Sequence, residues 1–493
     1  MAKNAFRTEK DTLGEVRVPA GAYWGAQTQR AVENFPVSGL RAHPALVRAH
    51  VMVKLASARA NARLGKLDDR RAAAIEQACR EVLDEERFLD QWVVDVFQAG
   101  AGTSFNMNSN EVLANRANEI LGAPLGSYKE VHPNDHVNMS QSTNDTFPTA
   151  MQVACLLVGT DLLAALDHLA DALEEKGRAF DGVLKSGRTH LQDAVPVRLG
   201  QEFAAYALAV RRAVENLDRA LEACEELPLG GSATGTGLNT HPAYAAAAAD
   251  HLAEISGLDL GPADDLRHAM QSMAPVAGVS AALRNLALEL ARIANDLRLL
   301  SSGPRTGLAE IRLPAVQPGS SIMPGKVNPV LAECLNMIAM QVIGNDTAVA
   351  LAVQAGQLEL NVFMPVMAHN VLGSMEILKN FLPVFTEKCV RGIEADEARC
   401  RAYFESSVGL AAILNSSLGY AKAAEVAEEA AAGGKTLRDL ILEKKLMTEK
   451  ELAQALDPKR ITEPHDPSGL HIAPQRRRDR RGKTGEQQQD KGQ

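Results

Sequence analysis

The sequence predicts a mainly α-helical protein built in several parts, and three observations carry that expectation. Aromatic residues make up only 4% of the 493 residues, while alanine, leucine and glutamate are abundant. Such a composition suits helices, because these side chains lose little freedom there, and it is poor in strand formers. Apolar residues also recur at helical spacing. Leu162, Leu166, Leu169 and Leu173 are separated by 4, 3 and 4 positions, and Leu283, Leu286, Leu290, Ile293, Leu297 and Leu300 by 3, 4, 3, 4 and 3. Each set draws one apolar stripe along a helix and suits near-antiparallel bundle packing. Finally, glycine and proline cluster at a few places, where they break the helical pattern.

Along the chain, residues 1–145 read as short helical stretches mixed with loops, with turn signals at Pro19-Ala20-Gly21, Gly100-Ala101-Gly102 and His132-Pro133-Asn134-Asp135. Residues 146–400 read as a central region of long helices. Two long loops interrupt it, Pro228–Asn239 and Gly303–Pro329. Loops of that length inside a helical bundle are uncommon and are usually functional or disordered. These two carry too little charge for disorder, which marks them as candidate active-site loops. Residues 401–473 form a smaller, more charged helical region. The tail 474–493, PQRRRDRRGKTGEQQQDKGQ, is polar and reads as disordered, its arginines solvated.

Charge and targeting signals narrow the function classes. A formal net charge of -9 argues against a nucleic-acid-binding surface on the body of the protein. The N-terminus lacks the apolar core of a secretory signal, and no run of 18 apolar residues reads as a membrane span. Six scattered cysteines form neither a CxxC nor a Cys/His cluster. They read as reduced thiols of a cytoplasmic protein, with no metal site.

Four separated stretches concentrate small polar residues and glycine. They are Gly100–Asn108 (GAGTSFNMN), Ser140–Asp145 (SQSTND), Gly187–Asp193 (GRTHLQD) and Gly319–Pro329 (GSSIMPGKVNP). Hydroxyls, amides and exposed backbone N–H groups bind carboxylates, because an anion needs several donors held in fixed directions. Singly, the first three are weak signals, and Thr143 and Asn144 would also serve as helix N-caps. The fourth joins two hydroxyls and one cation on a flexible loop, without the spacing of a phosphate-binding P-loop.

GSSIMPGKVNP resembles the signature of the aspartase/fumarase superfamily. The resemblance runs from RTEKDTLGEVRVP through YWGAQTQRAVENFP to about residue 456, more than nine-tenths of the chain. It implies a three-domain fold with an N-terminal lyase domain, a central five-helix bundle and a small C-terminal helical domain. Four copies would form a 20-helix core, as a homotetramer whose active sites each draw on three subunits. It implies elimination from a C4 dicarboxylate to give fumarate, with no cofactor, no metal, no membrane and no nucleic-acid partner. By the same resemblance Ser320 is the general base, Lys326 and Asn328 hold a substrate carboxylate, and His190 pairs with Glu333. Ala101, Gly102, Thr103, Ser142, Thr143, Asn144, Thr189 and Ser321 are the remaining substrate contacts. His132, Asn134 and Asp135 match a secondary carboxylate site.

The leaving group is ammonia or water, and the variable positions are mixed. GAGTS, Ser142-Thr143-Asn144, NDLRLLSSGPR, AGQLELNV and LILEKKLMTEKEL resemble aspartases, whereas TEKDTLGEVRVP, YWGAQTQR, EVLANRA, VHPND and GYAKAAEVA resemble fumarases. Differences beside the pocket weigh more, because contacts near the leaving group set specificity. The expectation is therefore ammonia elimination from L-aspartate, with L-malate dehydration as the alternative. Ser416 and Ser417 after Asn415, where aspartases commonly continue with proline, depart from the aspartase pattern.

Overall fold

The computed structural model describes residues 6–412, 415 and 419–464. Residues 465–473 of the expected C-terminal region, the tail 474–493, and Ser416 and Ser417 of the stretch that departs from the aspartase pattern lie outside them. The described chain is mostly helical and divides into two units. One holds residues up to Ala179 and Phe203–Ala395, and the other Phe180–Glu202 and the chain from Asp396.

The first unit opens with an antiparallel hairpin of β1 (Phe6–Asp11) and β2 (Gly14–Pro19), followed by α1 (Ala26–Asn34). The start of α1 has no side-chain cap of its own. The buried Glu111 carboxylate replaces it, accepting the backbone N–H groups of Gly25, Gln27 and Thr28 at 2.8–3.1 Å. Donors that a helix start leaves unpaired are thereby satisfied.

Next come α2 (Pro44–Arg63), α3 (Asp69–Leu83) and α4 (Thr103–Ile120). With 20, 15 and 18 residues, they are longer than the short stretches expected here. The pattern was obscured because α2 and α4 are buried nearly all round and carry polar residues inside: Lys54, Ser57, Asn61, Asn106, Asn108, Asn110, Asn115 and Asn118. Polar residues at buried positions erase the apolar stripe on which a periodicity reading depends.

Long helices then dominate: α5 (Thr143–Ala179), α6 (Leu199–Glu222), α7 (Tyr244–Ser256), a short α8 (Leu266–Gln271), α9 (Ala274–Leu300), α10 (Val330–Gln354) and α11 (Met364–Lys388). In this unit α9 packs along α10, α10 along α11, and α11 along α5. The predicted stripes face inward. Leu162, Leu166, Leu169 and Leu173 on α5 are buried, as are all six apolar residues of the α9 series. Burying such a side chain contributes about 1.5–3 kcal/mol. Both predicted loops are non-helical breaks, one between α6 and α7 and one between α9 and α10.

Helices α5 and α10 are long and apolar enough to cross a membrane by length and composition alone. Most of α5 is buried inside the unit, as befits a core helix. The face of α10 is different: Met337 and Met340 are 63% and 69% exposed, and Leu351 is exposed too.

In the second unit, β3 (Leu184–Thr189) and β4 (Gln192–Arg198) make an antiparallel hairpin. It is accompanied by α12 (Glu397–Ser406), α13 (Tyr420–Gly433), α14 (Leu437–Glu443), α15 (Glu449–Ala455) and α16 (Pro458–Thr462). Phe404, Leu410, Val426, Leu437, Leu440, Ile441 and Leu452 form its core. The hairpin is tied to the C-terminal helices by Ser186 Oγ donating to Ser407 Oγ at 3.1 Å and by Arg198 Nη1 donating to Thr462 Oγ1 at 2.6 Å.

Candidate active site

Two of the four polar stretches meet in the first unit. Thr103 opens α4, and Ser142–Asn144 open α5. Ala101 and Gly102 form a tight turn ahead of α4 with φ of 60° and 82°. A side chain at Gly102 would lie 2.2 Å from the Phe147 ring, so glycine is required there by both conformation and space. The Ala101 N–H donates to the Val362 carbonyl at 2.7 Å, and Thr103 Oγ1 donates to the Gly100 carbonyl at 3.2 Å.

At α5 the cap is Ser142. Its Oγ accepts the Asn144 N–H at 3.2 Å, an N-cap bond, and Asp145 Oδ1 accepts the Ser142 N–H at 2.9 Å. Thr143 and Asn144 are therefore not the caps. Thr143 Oγ1 instead accepts from Asn106 Nδ2 of α4 at 2.9 Å, which joins the two helix starts. Asn144 Nδ2 donates to the Ala233 carbonyl of the Pro228–Asn239 loop at 2.9 Å.

Behind this pair lies a buried cation that the sequence reading missed. Lys54 of α2 is 0% exposed, and its Nζ donates to Asn106 Oδ1, Asn138 Oδ1 and Gln141 Oε1 at 2.7, 3.0 and 2.8 Å. Burial lowers its pKa to about 7, against the opposing pull of the Asp145 carboxylate. Asp145, also 0% exposed, is pushed up to about 6 by burial, while N–H groups of Ser142, Ser232 and Gly230, and Lys54, act in the other direction. Buried charges persist only when hydrogen-bonded, and both are. The available signal was Lys54 itself, a lone charge inside the apolar run VMVKLA of α2.

The Gly319–Pro329 loop is organised by its own backbone. Gly319 N–H donates to the Lys326 carbonyl at 2.9 Å, and Asn328 Nδ2 donates to the Gly319 carbonyl at 2.6 Å. A Cβ on Gly319 would fall 2.3 Å from the Lys326 carbonyl oxygen, so no other residue closes this loop. Ser320 Oγ, half-buried, accepts the N–H groups of Ile322 and Met323 at 3.2 and 3.0 Å. Two donors aimed at one hydroxyl oxygen favour its anionic form. Ser321 and Lys326 are exposed, and Lys326 makes no ion pair among the described residues. No hydrogen bond joins this loop to the Thr103 and Ser142–Asn144 cluster among the described residues.

Glu333 lies in the first turn of α10, half-buried. With Asn295, Arg298, Asn336, Met337 and Met340 it lines a groove of about 420 Å³ between α9 and α10. His132, Asn134 and Asp135 occupy a surface turn. There His132 Nδ1 accepts the N–H groups of Asn134 and Asp135 at 3.3 Å and stands 3.4 Å from the Asp135 carboxylate.

Thr189 and His190 belong to the second unit. His190 and Leu191 form the two-residue turn between β3 and β4, with φ of 56° and 58° and both side chains exposed. Positive φ at two successive residues defines a type I′ turn, where Asn-Gly is the favoured pair. Histidine and leucine there are strained, and such strain often accompanies function.

Comparison with known proteins decides the family. A family model described as "Lyase" matches residues 14–344, and one described as "Fumarase C C-terminus" matches residues 410–463. The chain belongs to the aspartase/fumarase superfamily of lyases. Among its lyase relatives, the aspartate ammonia-lyase of Bacillus subtilis is 49% identical over 93% of this chain and 96% of that protein. The class II fumarate hydratase of Halobacterium salinarum is 52% identical over 93% of this chain and 97% of that protein. A crystal structure of fumarate lyase:delta crystallin from Brucella melitensis bound to cobalt matches with TM-score 0.90 and 50% identity, covering 93% of this chain and all of that one. The class II fumarase from Schistosoma mansoni matches with TM-score 0.89 and 35% identity, covering 94% and 100%. These neighbours share the mainly helical aspartase/fumarase fold of this lyase.

Proposed function

We propose that this lyase is an aspartate ammonia-lyase, converting L-aspartate to fumarate and ammonia. The observation that carries the chemistry is Ser320, whose Oγ receives two backbone N–H bonds on a loop that also bears Lys326. A hydroxyl is a weak base near neutral pH. Backbone dipoles and a nearby ammonium lower the energy of its alkoxide, and closure of the loop over substrate excludes the water that would compete.

In this reading the Ser320 alkoxide takes the Cβ proton. The C–H electron pair moves into the adjacent carboxylate, giving a doubly negative aci-carboxylate. Lys326, Asn328 and neighbouring hydroxyls stabilise that charge, the largest contribution such a site makes. The electron pair then returns to form the Cα=Cβ bond as the C–N bond breaks. An ammonium group departs as neutral ammonia without a further proton. A hydroxyl departs as water only if it receives one, a role open to His190 with Glu333.

We also propose a homotetramer in which one chain supplies Thr103 and Ser142–Asn144, a second Thr189 and His190, and a third Ser320–Asn328. Supporting it are the absence, among the described residues, of any hydrogen bond between the Ser320 loop and the Thr103 cluster, and the apolar residues left exposed on the long helices: Leu208, Leu288, Leu299, Met337, Met340 and Leu351. Contiguous exposed apolar faces mark association surfaces. The six cysteines are all free thiols, which supports a reducing, cytoplasmic setting.

The second reading, a class II fumarate hydratase, is favoured by the 52% identity to the Halobacterium salinarum enzyme. The purified protein is supplied with L-aspartate or L-malate separately, and fumarate is followed by its ultraviolet absorbance. Fumarate from L-aspartate is expected; turnover of L-malate alone overturns the aspartase assignment in favour of the hydratase.

A further inference from the structure

We propose that Asp145 is a positioning residue of the lyase, clamping the glycine-rich loop Pro228–Asn239 onto Ser142–Asn144 so that this loop forms one wall of the dicarboxylate pocket. The inference rests on the C4-dicarboxylate lyase reading above. Asp145 uses its two oxygens on two different segments. Oδ1 accepts the Ser142 N–H at 2.9 Å, and Oδ2 accepts the N–H groups of Gly230 and Ser232 at 3.1 and 2.9 Å. Ser232 holds φ of 58°, a conformation that a serine adopts only when its surroundings enforce it.

The clamped loop then acts on a substrate contact. The Ala233 carbonyl can only accept, so it fixes which end of the Asn144 amide faces the loop. Nδ2 is held at 2.9 Å, and Oδ1 is left as the acceptor available to a ligand. The exposed Thr234 and Thr236 hydroxyls, 3.4 Å apart, lie on the same loop. Charge on Asp145 is balanced by Lys54 of α2, and the Tyr244 hydroxyl of α7 senses the same carboxylate. The clamp thus ties α5, the loop and the Lys54 network into one preorganised body, which binds an anion without ordering it afresh.

The test is Asp145→Asn in the full-length protein. Asparagine keeps the shape but replaces one acceptor oxygen by a donor that faces N–H groups. Circular dichroism and the thermal midpoint verify folding, calorimetry measures succinate binding, and fumarate formation gives kcat and KM. A loosened pocket wall weakens ground state and transition state alike. Succinate Kd and KM should therefore rise about tenfold together, with kcat changed less than about threefold. An unchanged KM with reduced kcat is what a partly unfolded sample gives, and that result overturns the proposal. Should the variant not fold, hydrogen exchange on the unmodified protein decides: succinate slows exchange across residues 228–240 if the loop is a pocket wall, and leaves it unchanged if it is not. Failure of the unmodified protein both to bind succinate and to release fumarate from either substrate removes the lyase reading and this inference with it. Normal succinate binding with an insensitive Asp145→Asn removes the inference alone.

Discussion

The two candidate substrate-binding regions of the first unit are built in opposite ways. The Thr103 and Ser142–Asn144 region sits on two helix starts and is wired from behind by Lys54, Asn106, Asn138 and Asp145, all buried or partly buried. The Ser320–Asn328 loop is held by its own backbone, with Lys326 exposed. One region is wired into the buried core, and the other is a surface loop whose hydrogen bonds are local. Binding a dicarboxylate benefits from a rigid receptor, whereas a base that must be shielded from water benefits from a segment that can close. Substitutions in the buried network behind the first should therefore disturb stability, and substitutions in the second should disturb binding or chemistry with stability little changed.

The largest expected effect lies in the loop. Ser320→Ala should lower fumarate formation by about 10²–10⁴-fold, the range for loss of a positioned base, while the unfolding free energy moves by less than about 0.5 kcal/mol. Steady-state rates and denaturant titration on the same sample check both halves. Near-normal turnover would remove Ser320 as the base.

The reverse pattern is expected behind the other region. Lys54→Met removes the ammonium that donates to Asn106, Asn138 and Gln141 and the cation that offsets Asp145, a loss of about 1–3 kcal/mol in stability. Lys326→Met, by contrast, should change stability by less than about 0.5 kcal/mol and act on substrate affinity. Equal destabilisation by the two, in parallel denaturant titrations, would erase the distinction.

A smaller effect appears in pH dependence. The folded Asp145 carboxyl keeps its proton up to about 6, the unfolded one only to 3.8. Between those values the folded state binds more protons, so this group's contribution to stability falls as pH rises, by about 3 kcal/mol in all. Comparing the stability-versus-pH curves of the native protein and Asp145→Asn isolates that slope. Parallel curves would place Asp145 in a wetter, less confined setting than the one described.

How much of this was legible in the sequence follows the same divide. The α9 series Leu283–Leu300 could be read directly, because one side of that helix is buried and the other is not. The Ser320 loop was legible too, since glycine, proline and lysine in eleven residues leave few alternatives. Lys54 and the asparagines of α4 were not, because their partners are distant in sequence and a buried polar residue looks like a surface one. The β3–β4 hairpin was missed for two reasons. Its turn is His190-Leu191 instead of a glycine-bearing pair, and its buried Lys185 and Ser186 find their partners in Glu202 and Ser407, 17 and 221 residues away. Gly187–Asp193 therefore read as a polar loop. The convergence proposed for the four stretches is not legible in one chain, since the proposal has different chains supply them.

Subunit mixing tests that association most directly. Ser320→Ala and Asn144→Ala proteins, each expected to be inactive alone, are dissociated together at equal concentration and reassembled. With the serine loop and Asn144 supplied to a site by different chains, random reassembly restores both at about a quarter of the sites, and about a quarter of native activity returns. Mixed tetramers that assemble normally yet show no activity would place both groups on one chain and contradict the shared site.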